Sequence, residues 1–335
     1  MNCSLQLAFS ACTQFVVSAL LPGAILLSTP SQAQDYPTRN LTMVVAAAAG
    51  GPIDVFGRIM TERMGELLGK SVIVENVAGA GTMLGGQRVA KAEPDGHTFI
   101  LGTIATHTFS QLLFKKPLYN SITDFTPVGL IAELPLVLVT RNSFPADTIE
   151  QFATYAKANP GKITYGSAGR GSAAHLGCLL LEQSIGTKMT HVPYRGTAPA
   201  MQDLISGQID TVCDIIVTAV SHIEAKAVKP IANLSRERSA MLPSLPTATE
   251  RGLKNAEAYT WVAVYLPKGV PDAIVKRLHA ATVATIDTPA VREKLMKLGA
   301  TIVGPERRTP EVLAAFTRSE IDKWKGPVEA SGAIE

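Results

Sequence analysis

From residue 41 onward, two hydrophobic periods alternate along the chain. The run LTMVVA, starting at Leu41, precedes IDVFGRIMTERMGELLG, where Val55, Ile59, Met60, Met64 and Leu67 recur at helical spacing. SVIVENV and TFILGT, beginning at Ser71 and Thr98, are further short β-branched runs. Side chains repeat about every 2 residues in a strand and about every 3.6 in a helix, so the alternation predicts a strand–helix–strand rhythm. Such a rhythm implies a largely parallel sheet covered by helices.

A second set begins near Leu136. PLVLVTR reads as a strand, TIEQFATYAKANPG as a helix closed by Asn159, Pro160 and Gly161, and KITYGS as a strand running into the helix AAHLGCLLLEQSIG. MTHVPYRG, APAMQDLISGQ and IDTVCDIIV repeat that order. A proline-rich passage, MLPSLPTATERGL, leads to the strand AYTWVAVYLP and two helices over residues 272–287 and 289–298. The expected architecture is α/β and two-lobed, with mixed sheets and helices on both faces. Residues 36–134 with 259–335 would form the first lobe and residues 135–258 the second, with crossovers near 132–135 and 257–262.

The N-terminal segment differs. Residues 15–27, FVVSALLPGAILL, are apolar but too short to span a bilayer, and Ser31 and Ala33 suit a small-residue cleavage site. Residues 1–33 therefore read as a secretory signal peptide, although no lysine or arginine precedes Arg39. Its removal would take Cys3 and Cys12 and leave Cys178 and Cys213 in an oxidising compartment, where a bridge is permitted. Both lie in apolar runs, and the reading preferred here is two buried thiols.

Composition narrows the function. The 335 residues are 46% hydrophobic and 18% charged with a formal net charge of +3, which concentrates no basic surface for nucleic acid or anionic membrane. No zinc-type spacing, nucleophile elbow or zinc-protease motif is present, so neither metal nor cofactor is expected. GELLGKS, at Gly65, is one residue short of a phosphate-binding loop and sits at a helix end. GAGTMLGG, at Gly79, has the wrong glycine spacing for a dinucleotide and reads as a turn into a helix over residues 87–92. Asp54 suits the first turn of its helix, and His175 suits packing on a helix.

Three strand-to-helix junctions are built of small residues: 46–51, 166–172 and 193–197. The first N–H groups of a helix lack intrahelical partners and carry partial positive charge, which suits an anion. Small residues let that anion reach the backbone. Asp214, near a strand end, would meet a ligand amine or hydroxyl, or be a buried hydrogen-bonded carboxylate.

The motifs YPTRNLTMVV, AGGPIDVFGR, VIVENVAGAGT, AEPDGHTFILGT, YGSAGRGSAAHL, THVPYRGTAPAMQDLISGQID and LPSLPTATERGL occur in order. Together they resemble the Bug family of periplasmic solute-binding proteins that serve tripartite tricarboxylate transporters. The resemblance implies a periplasmic-binding-protein fold (type II-like), a non-enzymatic monomer, a small mono- or dicarboxylate ligand in an interlobe cleft, and membrane transporter subunits as partners. The matching ligand-binding positions are Ala49, Gly50 and Gly51; Ser167, Gly169, Arg170, Gly171 and Ser172; and Tyr194, Arg195, Gly196 and Thr197, and Ala48 next to the first group is a further candidate. Departures from the family pattern are Ala46, Ala47 and Ala48 where proline and phenylalanine are usual, Arg170 where a neutral residue is common, and Val77 in place of arginine. Arg170 would hold a second carboxylate if it faced the cleft, or be a solvated turn residue if it faced outward. The alternatives are a sensor-kinase input domain and a hydrolase using Ser172 and His175.

Overall fold

The strand and helix patterns form close to their expected ends in a computed structural model, which describes residues 36–331 and 334. The expected signal segment lies outside the described residues. β1 (Leu41–Val45) is followed by α1 (Pro52–Leu68), β2 (Val72–Asn76), a 3₁₀ turn (Ala80–Thr82), α2 (Met83–Ala90) and β3 (Thr98–Thr103). A π-helical turn (Ala105–Phe109) and α3 (Ser110–Leu112) lead to the long β4 (Phe125–Thr140). The second set is α4 (Ile149–Ala158), β5 (Thr164–Ser167), α5 (Ala173–Ile185), β6 (Thr190–Pro193), α6 (Thr197–Ser206), β7 (Thr211–Ile215), α7 (Ile216–Glu224) and β8 (Lys229–Asn233). The chain closes with β9 (Tyr259–Pro267), α8 (Asp272–Asp287), α9 (Pro289–Lys297), β10 (Thr301–Ile302) and α10 (Pro310–Ser331).

Local chemistry explains the boundaries. Pro52 opens α1, where its missing N–H costs nothing, and Gly69 closes it in the left-handed conformation. Thr148 and Ser172 cap α4 and α5 by accepting from Gln151 N and His175 N. Two expectations change: α2 starts four residues earlier than the pattern suggested, and α10 is an additional long helix. α10 is held to β9 by its buried Glu320, which accepts from Trp261 Nε1 and Tyr259 OH, both at 3.2 Å. Among the described residues, no helix is long and apolar enough to cross a membrane.

The strands follow the order β2-β1-β3-β9-β4-β7-β5-β6, with β8 and β10 also paired to β4. β1 is parallel to β2 and β3, and β5 is parallel to β6 and β7. Every pairing of β4 is antiparallel, as is that of β3 with β9. The sheet is therefore mixed, and the largely parallel reading holds only toward its two ends. β4 pairs with β9 up to Pro135, opposite Tyr259, and from Leu136 onward with β7 and β8.

The expectation of two free thiols is corrected: Cys178 and Cys213 form a disulfide with their Cα atoms 5.5 Å apart. Both residues are fully buried, as expected, but burial does not distinguish a thiol from a bridge. The deciding feature is tertiary. A Cβ on Gly177 would meet Leu136 Cδ2 of β4 at 2.6 Å and Cys213 Cβ of β7 at 3.4 Å, so glycine there lets α5 lie close enough to β4 and β7 for the sulfurs to meet. Replacing both cysteines with alanine is expected to lower unfolding free energy by roughly 3–4 kcal/mol, given the 35-residue separation. Urea denaturation measures this, and reductant should bring the wild type to the variant's midpoint.

Candidate functional site

A cavity of about 610 Å³ lies where the small-residue junctions converge. Its walls hold the N-cap residues of five helices: Gly51 of α1, Thr82 of α2, Ser172 of α5, Gly196 of α6 and Ile215 of α7. Of these, only Ser172 uses its side chain to cap its own helix. The first N–H donors of the other helices are left to the backbone, to solvent or to a ligand. The cavity therefore gathers the positive ends of five helix dipoles.

The expected site residues divide into those on the wall and those behind it. Ala48 and Gly51 of the first junction line the cavity, as do Gly169, Arg170 and Ser172 of the second and Arg195, Gly196 and Thr197 of the third. Asp214 lines it from the end of β7. Ala49, Gly50, Ser167, Gly171 and Tyr194 are not part of the lining. Gly50, at φ +78°, donates its N–H to Asp54 Oδ2 at 2.8 Å. Ser167 is fully buried, and its Oγ accepts from Gly169 N and contacts His191 Nε2 at 2.6 Å. Gly171, at φ +75°, donates to His175 Nδ1 at 3.2 Å. The Tyr194 hydroxyl turns away to Asp203 Oδ2 at 2.7 Å, while its N–H bonds Ser167 O at 3.0 Å and joins the two junctions.

Asp54 does more than face its helix dipole. Besides Gly50, it accepts from Arg58 Nε and Asn76 Nδ2, both at 2.9 Å, and Asn76 also reaches Ala47 O at 3.2 Å. Burial would raise its pKa, but the bonds from Arg58, Gly50 and Asn76 together with the Arg58 charge prevail and hold it below the usual carboxylate range. The alanine loop thus owes its shape to a carboxylate behind it.

Asp214 is fully buried. It accepts from Ile215 N at 2.8 Å and from the Thr218 hydroxyl. Burial pushes its pKa up to about 7 against the lowering effect of those two bonds. Arg170 and Arg195 bring positive charge to the same cavity, and Ile53, Leu101, Phe114 and Ile215 give it apolar surface. Such a space suits an anion with a carbon body. Among the described residues, no group of three histidine, cysteine or acidic side chains is placed to hold a metal.

Besides Thr260 of β9, the sequence reading missed two parts of the wall. One is the turn at residues 79–82, where Gly79, Ala80, Gly81 and Thr82 all have positive φ. Its glycines were visible, but Ala80 and Thr82 give no sequence sign of that conformation. The other is the end of β3 with the turn after it, which contributes Thr103 and Thr106, together with Phe114 just beyond α3. Thr106 Oγ1 accepts from Thr103 N at 2.8 Å and fixes that turn. The hydrolase arrangement is not assembled, since the Ser172 hydroxyl accepts from His175 N as a helix cap and the His175 ring nitrogen Nδ1 bonds Gly171 N.

Comparison with known proteins identifies the fold and the family. MatC of Rhodopseudomonas palustris, in a structure with bound malate, is 40% identical and superposes with a TM-score of 0.82, covering 88% of this chain and 100% of that one. The periplasmic binding protein BugD is 36% identical, with a TM-score of 0.83 over 89% of this chain and 99% of its own. Another R. palustris protein, solved with adipate, is 32% identical, with a TM-score of 0.83 over 89% and 98%. These similarities identify the fold as the mixed α/β fold of periplasmic binding proteins. The family described as "Tripartite tricarboxylate transporter family receptor" (TctC) matches residues 56–332, and the chain belongs to this family of periplasmic receptors, as do its Bug relatives.

Proposed function

We propose that this protein captures a small mono- or dicarboxylate in the cavity and delivers it to the membrane subunits of a tripartite tricarboxylate transporter. The observation that carries the reading is the convergence of five helix N-caps, four without side-chain caps, on one partly apolar space. Preorganised N–H donors replace water around an anion without having to reorganise. The similarity to proteins solved with malate and with adipate supports a carboxylate of that size. Residues 1–33 export the chain, and the mature protein begins at Gln34. Residues 36–134 with 259–335 and residues 135–258 act as two lobes that close by bending where β4 and β9 run between them. Arg170 pairs with the second carboxylate of a dicarboxylate, and Asp214 meets a ligand hydroxyl or protonated group.

A thermal-shift screen of the mature protein against mono-, di-, tri- and aromatic carboxylates, with their uncharged amides, tests the central claim. At about 100 times its dissociation constant, a ligand adds roughly 2.7 kcal/mol, a shift of several degrees. An acid should shift the transition and its amide should not; equal shifts would defeat the anion reading.

Arg170→Ala should weaken a dicarboxylate roughly tenfold, the worth of one charge-assisted bond, and leave the matched monocarboxylate nearly unchanged by calorimetry.

The pH dependence follows from Asp214. Its folded pKa, about 7, lies above the usual unfolded value, so the unfolded chain releases this proton first as pH rises. Stability should therefore fall between about pH 4 and pH 7, by up to about 1.4 kcal/mol per unit from this group. Once ionised, Asp214 would repel a carboxylate in the same cavity, so affinity should fall above about pH 7. Asp214→Asn should flatten the stability slope in urea titrations and remove that fall in affinity.

A further inference from the structure

Behind the part of the cavity wall formed by Ala168, Gly169, Arg170 and Ser172 lie two imidazoles from different elements. His175, in the first turn of α5, stacks on His191 of β6 with centroids 4.2 Å apart and planes at 26°. Tyr165 of β5 lies beside the pair, its ring centroid 4.9 Å from that of His191 and 6.4 Å from that of His175. Each ring reaches the same short loop. His191 Nε2 lies 2.6 Å from Ser167 Oγ, which accepts from Gly169 N and faces Gly169 O, both at 3.1 Å. His175 Nδ1 accepts the Gly171 N–H. The two glycines held in this way have φ of +110° and +75°, and between them sits Arg170.

We propose that His175 and His191 are positioning residues for the anion-receiving loop, acting as a stacked neutral pair that fixes Gly169 and Gly171 so that the wall presents Gly169 and Arg170 to the ligand. The inference rests on the carboxylate reading of the cavity. The acceptor role at Gly171 requires His175 Nδ1 without a proton, which places the hydrogen of the neutral ring on Nε2. A second positive charge on either ring would lie against the other ring and beside Arg170. Both rings are accordingly held neutral: burial, with His191 and Arg170, depresses His175 to about 3, and burial with Arg170 depresses His191 to about 4. The groups facing the pair are Tyr165 of β5 and Arg170 of the loop, with Glu182 of α5 beyond Tyr165. A histidine used only as core filling would need neither bond. Here His175 bonds the loop directly at Gly171, His191 holds the Ser167 hydroxyl that binds Gly169, and the two rings stack on each other.

The test compares variants that keep the ring with variants that keep the hydrogen bond, using malate and adipate as probes in calorimetry on the mature protein. His175→Phe retains the stack and loses the acceptor for Gly171. It should weaken the better-bound acid at least about fivefold at neutral pH, with a melting temperature within a few degrees of wild type. His175→Asn keeps an acceptor near the Nδ1 position and should stay within about twofold. His191→Gln, which keeps a polar atom near Nε2, should behave similarly, whereas His191→Phe should behave like His175→Phe. A pH series supplies the second readout. Below about pH 5, wild-type affinity should fall more steeply than that of the His175→Asn, His191→Gln double variant, in which only the ligand and the remaining groups titrate. Equal affinity in wild type and His175→Phe, or superimposable pH series, would overturn the inference while leaving the carboxylate reading intact. Failure of the wild type to bind either acid or any of the wider carboxylate panel would overturn both.

Discussion

Because β4 runs unbroken through residues 125–140 while its neighbours change from β9 to β7 and β8, the strands on either side of it deliver their helices to one shared space. β1, β5, β6 and β7 each end at a junction from which a helix departs, and each departing helix leaves its N-cap on the cavity wall. Thr260, in the part of β9 that pairs with β4, also lines that space. Without the antiparallel pairing in the middle of the sheet, the parallel units to either side would have no common register. Each would then present one weak dipole end to solvent instead of adding to a shared field.

Around this frame, the wall is stiffened from behind by polar groups that no ligand need touch. Asp54 gathers Gly50, Arg58 and Asn76 beneath the alanine loop, and Ser167 with its histidine neighbours underlies the second junction. The disulfide ties the helix that begins at Ser172 to the strand that carries Asp214, so two parts of the wall share one covalent anchor. The front of the site is plain because its support lies behind it.

Much of this was legible along the chain. The period of apolar residues located α1, α8 and α9, and glycine and alanine at three strand ends marked junctions that do converge. What escaped had a common physical cause: it depends on elements distant in sequence. Nothing near Cys178 tells that Gly177 lets α5 settle against β7. Nothing near Tyr194 tells that its hydroxyl turns to Asp203 rather than to the cavity. The glycines of the turn at residues 79–82 carry no local sign of a ligand, whereas its place in the wall follows from contacts with other segments. A Cβ on Gly81 would lie 2.9 Å from the Phe114 ring and 3.5 Å from Arg170 O. Strand and helix periods report which face is buried, and they are silent about which distant surface does the burying.

The loop of alanines and glycines has a consequence for inheritance as well as for chemistry. A donor that belongs to the main chain is encoded by no particular codon, and among ordinary substitutions only proline deletes it. An anion cradle of this kind tolerates sequence drift that would destroy a site made of side chains. On the proposed reading, divergence in ligand choice would fall on the few lining residues that do carry functional groups, such as Arg170, Arg195 and Asp214. A lineage of such receptors can change what it carries while the way it grips a negative charge passes on unaltered.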